Sequence, residues 1–191
     1  MRIPLLLLLS WLLSACSTLP QVSGGLPGRE EIRAFALDAR FSLKVERFGE
    51  AAQSASGRLS WEHQNDRDRL FLANPLGTGL AEVEMASGGA TLRSGNGDVR
   101  EHASADVLVQ QLTGYALPVS RLSHWLLGRS ASNGEVRRDA LGRPLVLWEA
   151  GWRVEYDYPD NSVTTLPHIL RVNRASEVML VLRIEAWQEV P

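Results

Sequence analysis

The chain has 191 residues and a formal net charge of −2, a length that suits one domain with a sizeable core. Its 20 basic and 22 acidic residues are interspersed without a basic block, so nucleic acid is excluded as an expected partner. The single cysteine excludes an internal disulfide, and the fold must therefore be stabilised by burial of apolar side chains.

The first 15 residues have the layout of a bacterial export signal. An apolar run of about 11 residues follows Arg2, well short of the roughly 20 residues that a membrane-spanning helix needs. Two small residues then precede Cys16, and the motif Leu-Ser-Ala-Cys resembles a lipobox. We predict a signal peptide at 1–15 and a covalent N-acyl and S-diacylglycerol lipid on Cys16. The alternative is an ordinary signal with an accidental cysteine.

Residues 16–28 are rich in proline, glycine and serine, which is typical of a flexible tether between the lipid and a folded domain. Ser17 stands where an aspartate usually retains lipoproteins on the inner membrane, so it resembles the pattern that is sorted outward. The remaining residues, 29–191, are predicted to form a single domain.

The first half of this domain is predicted to be mostly β-strand. A short helix is expected at 29–36, because two glutamates would lie in its first turn. Apolar and polar residues then alternate with a period of two in several segments, which indicates strands with one buried face. These segments are 41–45, 58–64, 69–73, 80–85, 90–93 and 98–102.

The segment Asn74-Pro75-Leu76-Gly77-Thr78-Gly79 interrupts this pattern. Proline and two glycines break a strand, which predicts a hairpin loop with Leu76 at its tip. The ordinary alternative is a loop leucine that folds back onto the core.

Two short helices are predicted in mid-chain. The first has Ser104 as its N-cap and ends at Gly114; the second opens at Pro118 and ends at Gly128. Residues 129–133 are read as a polar loop.

The period of two then returns. Strands are expected around 145–148, 152–158, 170–172 and 178–187. The last one should bury a single face, formed by Leu180, Leu182, Ile184 and Ala186. This succession predicts a mainly β fold, an incomplete antiparallel β-barrel or curved sheet that encloses an apolar cavity covered by the short helices.

The sequence carries no pattern for an enzyme. The four histidines, His63, His102, His124 and His168, form no close pair, and no G-x-S-x-G motif is present, so no metal, cofactor or catalytic residue is expected. Glu82 and Glu84 share a strand face and are read as a solvated edge rather than an acid–base pair.

Several short segments of the mature chain form a recognisable set of motifs. They are Asn-Pro-Leu-Gly at 74–77, Leu112-Thr113-Gly114, Leu117-Pro118, Trp125-Leu126-Leu127-Gly128, Gly151-Trp152-Arg153-Val154-Glu155-Tyr156 and Leu166-Pro167. With these motifs the chain resembles the LolB family of outer-membrane lipoproteins over nearly the whole mature chain, and Asn-Pro-Leu-Gly is the most specific of them. The sequence departs from the family at Arg129-Ser130, where a proline is common.

The resemblance implies a function and a site. LolB proteins accept lipoproteins from the periplasmic carrier LolA and insert them into the inner leaflet of the outer membrane. Their protruding loop carries an exposed hydrophobic residue, which Leu76 matches here, between Pro75 and Gly77. The residues expected to line the cavity or its helical lid are Trp61, Leu108, Leu112, Leu122, Trp125, Leu126, Trp152 and Tyr156.

The partners expected on this basis are a LolA-type carrier, the acyl chains of lipoprotein cargo and the inner leaflet of the outer membrane. The protein should be a monomer, anchored at the outer membrane and facing the periplasm. Two other functions stay open: a lipoprotein that binds a small apolar ligand, and a scaffold of the cell envelope, which a filled core would favour.

Overall fold

The computed structural model describes residues 31–175 and 177–188. Within that part of the chain, eleven strands and two short helices follow one another. In order they are β1 (Ala34–Val45), β2 (Gln53–Gln64), β3 (Arg67–Ala73), β4 (Gly79–Ala86), β5 (Gly89–Ser94), β6 (Val99–His102), α1 (Ala105–Thr113), α2 (Val119–Leu126), β7 (Glu135–Arg138), β8 (Pro144–Glu149), β9 (Trp152–Asp157), β10 (Ile169–Arg174) and β11 (Val178–Gln188).

All eleven strands belong to one antiparallel sheet with the order β6-β5-β4-β3-β2-β1-β11-β10-β9-β8-β7. The first and last strands pair in its middle, so the sheet consists of two meanders joined along β1 and β11. The edge strands β6 and β7 do not pair with each other, and the chain connects them through α1 and α2. The predicted curved, unclosed sheet with a helical cover is therefore confirmed.

The two ends of the sheet carry different hairpins. Because all pairs are antiparallel, the connections β1–β2, β3–β4, β5–β6, β8–β9 and β10–β11 lie at one end, which we call the Leu76 end. The connections β2–β3, β4–β5, β7–β8 and β9–β10 lie at the opposite end, where β1 also begins.

The predicted helix at 29–36 is wrong from Ala34 onward, where β1 begins. Phe35, Leu37 and Ala39 are buried in alternation with half-buried residues, so the period of two starts earlier than expected. This segment pairs with β2 on one side and partly with β11 on the other. The ladder hydrogen bonds and burial of one face outweigh a weak local helix signal.

The predicted inner face of β11 is correct up to Ile184 and wrong for Ala186, which is exposed. A β-bulge shifts the register between β1 and β11, so Asp38 pairs with Ala186 and Ala39 with Ile184. The bulge adds one residue to β11, so the residues beyond it switch faces: Ala186 faces outward and Trp187 packs partly against the core.

Gly57 on β2 lies where no side chain would fit. A Cβ atom there would be 2.2 Å from the carbonyl oxygen of Ala73 and 2.8 Å from the Phe41 ring. The glycine thus allows β2 to approach the end of β3, directly before the hairpin that carries Leu76.

The helix ends agree with the prediction except at one cap. Gly114 terminates α1 in the left-handed conformation with φ 78°, and its N–H donates to Gln110 O. Ser104 occupies the N-cap position, but its side chain makes no capping hydrogen bond. Instead, the carboxylate of Asp106 accepts hydrogen bonds from the N–H and the hydroxyl of Ser120, at 2.9 and 3.0 Å, and so ties α1 to α2.

Candidate functional site

The β3–β4 hairpin loop holds Leu76 away from the protein. The side chain of Leu76 is 93% exposed. Asn74 organises the loop, because its Oδ1 accepts the N–H groups of both Leu76 and Thr78 at 3.0 Å. The backbone N–H of Asn74 donates to Thr78 O at 2.9 Å, which closes the loop at its base.

The turn itself explains the sequence of this loop. The N–H of Gly77 donates to Asn74 O at 2.9 Å, which closes a β-turn with Pro75 at its second position, where proline is favoured. Gly77 then adopts φ 93°, a conformation that residues with a side chain rarely adopt. The loop is therefore fixed by hydrogen bonds and backbone stereochemistry, and the leucine needs no contact with the core to hold its position.

Two further apolar side chains lie at the base of the loop. Phe71 on β3 is 45% exposed, and its ring lies 3.0 Å from where a Cβ of Gly79 would be. Leu80 follows Gly79 and is 46% exposed. The apolar surface at this point thus extends beyond Leu76 itself.

The predicted cavity and lid residues lie almost entirely within one apolar core between the helices and the sheet. Seven of the eight are buried in it: Trp61, Leu108, Leu122, Trp125, Leu126, Trp152 and Tyr156. The rings of Trp125 on α2 and Trp152 on β9 lie 6.3 Å apart between centroids. In this conformation the helices pack directly on the sheet, so an acyl chain would have to displace them to reach the core.

Leu112 is the exception, since it is 38% exposed on α1. With Leu92 and Leu108 it lines an open cleft of about 430 Å³ between α1 and strands β4 to β6. Leu80, at the base of the Leu76 loop, lines the same cleft. The cleft therefore extends from the edge of the core under α1 to the base of the loop, and its lining also includes the polar residues Asp98, Arg100 and Gln111.

Glu149 fixes α2 to the sheet. Its carboxylate is buried at the end of β8 and lies 2.6 Å from Arg121 Nη1, while Trp125 Nε1 donates to it at 2.8 Å. Both partners are on α2. The loop after the helix adds donors from the Ser132 hydroxyl at 2.6 Å and the Ala131 N–H at 2.9 Å.

This set of donors determines the charge state of Glu149. Burial alone would raise the pKa of the carboxyl group, but hydrogen bonds from Ser132, Trp125, Ala131 and Ser130 outweigh it and lower the pKa of Glu149 to about 2. The group is therefore ionised at neutral pH, and the negative charge is compensated by Arg121.

Three of the other polar residues singled out from the sequence, Glu82, Glu84 and His63, take part in structural contacts. Glu82 and Glu84 both pair with Arg69 on the outer face of the sheet. His63 Nδ1 lies 2.8 Å from Asp68 Oδ1, which also accepts the indole N–H of Trp61. Across the described residues, no group of three or more His, Cys, Asp or Glu side chains is arranged to hold a metal ion.

A family profile described as outer membrane lipoprotein LolB matches residues 33–187 of the chain. The chain belongs to the LolB family. The outer-membrane lipoprotein LolB of Dechloromonas aromatica (strain RCB) is 44% identical over 191 residues, which cover 100% of this chain and 99% of that relative. The LolB protein of Azoarcus sp. (strain BH72) is 35% identical over 179 residues, covering 93% and 90%.

Solved structures show that the LolB fold of this chain is shared with proteins of very different sequence. A LolA superfamily protein, NE2245 from Nitrosomonas europaea, has a TM-score of 0.50 at 10% identity and covers 82% of this chain and 87% of its own. A putative outer membrane lipoprotein-sorting protein domain from Vibrio parahaemolyticus has a TM-score of 0.50 at 8% identity, covering 84% and 87%. At these identities the likeness shows the fold alone.

Membership in the LolB family confirms the resemblance found in the sequence and identifies the chain as an outer-membrane lipoprotein of lipoprotein sorting. This membership does not favour the envelope scaffold that a packed core by itself would suggest. Cys16, the predicted lipid attachment site, lies outside the described residues. Among the residues that are described, no helix is both long enough and apolar enough to cross a membrane.

The role of Glu149 was missed in the sequence analysis, which read residues 129–133 only as a polar loop. One signal was present: the period of two places Glu149 on the same face as the buried Leu147. A carboxylate in register with a buried leucine requires compensating donors. The serines that supply them belong to a loop whose path a sequence pattern does not specify.

Proposed function

We propose that this LolB-family chain accepts lipoproteins from a LolA-type periplasmic carrier and inserts them into the inner leaflet of the outer membrane. The observation that carries this proposal is Leu76, which is 93% exposed and held outward by an ordered loop. Burying such a side chain contributes about 1.5–3 kcal/mol, so a loop that keeps it in water fits a membrane contact.

The transfer makes and breaks no covalent bond. Each acyl methylene exposed to water costs about 0.8 kcal/mol, so a lipidated protein has to move from one apolar site directly into another. Handover needs no nucleotide, provided that the receiving site binds the chains more tightly than the carrier does. The outer membrane then receives the chains from the protein.

The two helices of the cover differ in their polar attachments, buried and charged for α2 and exposed for α1, which suggests how acyl chains gain access. Helix α2 is attached to β8 through the buried Glu149 and its charged hydrogen bonds. Helix α1 buries Ala105, Leu108 and Val109 in the core, but its polar contacts are exposed. They are the Asp106 bonds to α2 and a bond from Arg47 to Gly114 O. In our proposal α1 moves away from the sheet while α2 stays in place.

The cleft under α1 supports the same route. It is lined by Leu92, Leu108 and Leu112, and it extends to Leu80 at the base of the Leu76 loop. Acyl chains that enter between α1 and the sheet would leave beside the loop that contacts the bilayer. Their path would then follow these leucines along a cleft whose lining also carries the polar residues Asp98, Arg100 and Gln111.

The lipid on Cys16 completes the proposal by anchoring a monomer to the periplasmic side of the outer membrane. Several acyl chains together hold a protein firmly to a bilayer, whereas a single one binds only reversibly. The mass of the mature N-terminal peptide tests this attachment.

The decisive experiment replaces Leu76 with glutamate and follows a labelled lipoprotein from the carrier to the protein and then to vesicles, without nucleotide. Leu76→Glu should accept cargo normally and insert it at least about tenfold more slowly, because the burial of one leucine is lost and a charge must be desolvated. The matched control is Leu141→Glu, since Leu141 is an exposed leucine in the β7–β8 hairpin at the opposite end.

Three results would contradict parts of this proposal. Normal insertion by Leu76→Glu would reduce Leu76 to an ordinary loop residue. Equal losses in Leu76→Glu and Leu141→Glu would show a general effect of added charge. Failure of the unmodified protein to take cargo from the carrier would end the receptor function and favour a lipoprotein that only binds an apolar ligand.

A further inference from the structure

Besides Leu76, Phe48 is the other large apolar side chain of the described residues that is almost completely exposed. It lies at the tip of the β1–β2 hairpin, between Val45 and Gln53, and is 108% exposed. Tips of hairpins usually carry polar residues, glycine or proline. A phenylalanine at such a place presents its entire ring to solvent.

The hairpin around Phe48 is anchored, so this exposure is not that of a loose segment. Arg47 Nη2 donates to Gly114 O at 3.0 Å, and the Arg47 guanidinium lies 5.3 Å from the centre of the Tyr115 ring. The Tyr115 hydroxyl donates to the side chain of Gln53 on the returning strand. These contacts hold the hairpin against the end of α1 and leave Phe48 outside.

Phe48 lies at the same end of the sheet as Leu76. Arg58 on β2 pairs with Ala73, the last residue of β3, while Gln53 pairs with Val45 at the base of the Phe48 turn. The β1–β2 hairpin thus continues past the end of β3 by about five residues, or roughly 16 Å of strand. The two hairpins beside each other both end in an exposed apolar side chain.

The charges around Phe48 are balanced, which distinguishes a lipid surface from a charged protein partner. Lys44 pairs with Glu46 at 2.6 Å, and Arg47 lies 3.7 Å from Glu50. The tip therefore carries no net charge that would attract an acidic or a basic partner. An uncharged tip with one exposed aromatic ring suits a zwitterionic bilayer, where the apolar ring is buried at the interface.

We propose that Phe48 and Leu76 form a two-point contact with the phospholipid surface of the outer membrane, and that this contact orients the Leu76 end toward the bilayer. The inference rests on the proposed function, because it takes Leu76 as the first of the two points. With a single point the protein could rotate about Leu76. A second point on the neighbouring hairpin fixes the cleft under α1 relative to the lipid.

The test uses the full lipid-anchored chain in zwitterionic phosphatidylcholine–phosphatidylethanolamine vesicles whose lipids carry a bromine quencher on the acyl chain. A fluorophore is attached at Ala51→Cys beside Phe48, at Thr78→Cys beside Leu76, or at Asp66→Cys in the β2–β3 turn of the opposite end. These positions leave Phe48 and Leu76 intact. Each label is also measured with Phe48→Ser or with the control Leu141→Ser.

Quenching is expected at positions 51 and 78 and not at 66, with no dependence on salt. Phe48→Ser should lower the ratio of docked to undocked protein at position 51 about tenfold, because one large apolar side chain no longer transfers into lipid. Leu141→Ser should leave this ratio unchanged.

The opposing outcomes separate this inference from the proposed function. Quenching at 78 without quenching at 51 would overturn the two-point contact and leave Leu76 as the membrane residue. The same conclusion follows if Phe48→Ser, like Leu141→Ser, leaves the ratio of docked to undocked protein at position 51 unchanged. Absence of quenching at both 51 and 78 would overturn the two-point contact together with the proposed role of Leu76.

Discussion

Replacing Glu149 with glutamine should destabilise the protein by about 3 kcal/mol at neutral pH. The pKa of this carboxyl group falls from an ordinary 4.5 to about 2 in the fold. Since 1.36 kcal/mol corresponds to a tenfold change in proton affinity, the ionised form contributes about 3 kcal/mol of stability. A glutamine keeps the shape but turns an amide N–H₂ toward groups that are themselves donors, such as Arg121 and Trp125.

The pH dependence of this effect has a definite sign. The pKa of Glu149 is lower in the folded than in the unfolded state, so its contribution is fully present above about pH 4.5 and is lost as the pH falls toward about 2. The difference in stability between the protein and Glu149→Gln should therefore be constant from neutral pH down to about pH 5. At pH 3 it should have fallen to about 1.5 kcal/mol.

Urea unfolding followed by tryptophan fluorescence measures both quantities. The matched control is Glu185→Gln, because Glu185 pairs with Arg40 at 2.6 Å on an exposed face and should contribute less than about 1 kcal/mol. The reasoning is refuted if Glu149→Gln costs no more than this control at neutral pH. A cost that is the same at pH 3 as at pH 7 would also refute it, since the effect would then come from packing and not from the charge.

Two further predictions concern the helices. Gly114→Ala and Gly128→Ala both place a side chain at a positive φ, but only Gly128→Ala also brings a Cβ to 2.3 Å from the Pro144 ring. Thermal unfolding should show that Gly114→Ala lowers the free energy of unfolding by about 1 kcal/mol and that Gly128→Ala lowers it clearly more. Equal losses would contradict the steric argument. Asp106→Ala should cost about 1 kcal/mol by removing two hydrogen bonds to the start of α2, whereas Ser104→Ala should cost close to nothing because its hydroxyl caps no N–H group. If Ser104→Ala lowers the free energy of unfolding more than Asp106→Ala does in the same measurement, Ser104 and not Asp106 stabilises the helices.

The strands of this protein were predictable because alternation is a local property. The segments that contain Leu43, Leu59 and Leu70 show the period of two within a few residues, and each is a strand with a buried inner face. The Leu76 loop was predictable for a similar reason, since proline and glycine fix its backbone without help from the rest of the fold. The exposure of Leu76 was not decided by this pattern, which left open that the leucine folds back onto the core, and was expected from the resemblance to the LolB family.

Most of the errors arose where distant parts of the chain decide the outcome. The error at Phe35 is different, because the alternation of Phe35, Leu37 and Ala39 is itself local and was overlooked in favour of the two glutamates before it. Ala186 changes face because one register shift relative to β1 inserts an extra residue. Glu149 is ionised in the core because a loop that is distant in sequence supplies its hydrogen-bond donors. Packing of the helices against the sheet likewise depends on the whole fold, and the sequence indicated only which helix faces are apolar.

The position at which β1 begins sets a minimum length for the segment that connects Cys16 to the folded domain. Ala34 opens β1 at the end opposite the Phe48 turn, and the 12 residues of β1 span about 40 Å. Some 18 peptide units separate Cys16 from Ala34, which reach at most about 60 Å when fully stretched. With the lipid that we propose on Cys16, this reach exceeds the span of β1 and would let the molecule turn over and present its far tip to the leaflet that holds it. A connecting segment shortened to half that reach would be shorter than β1, and the tip would then have to point into the periplasm.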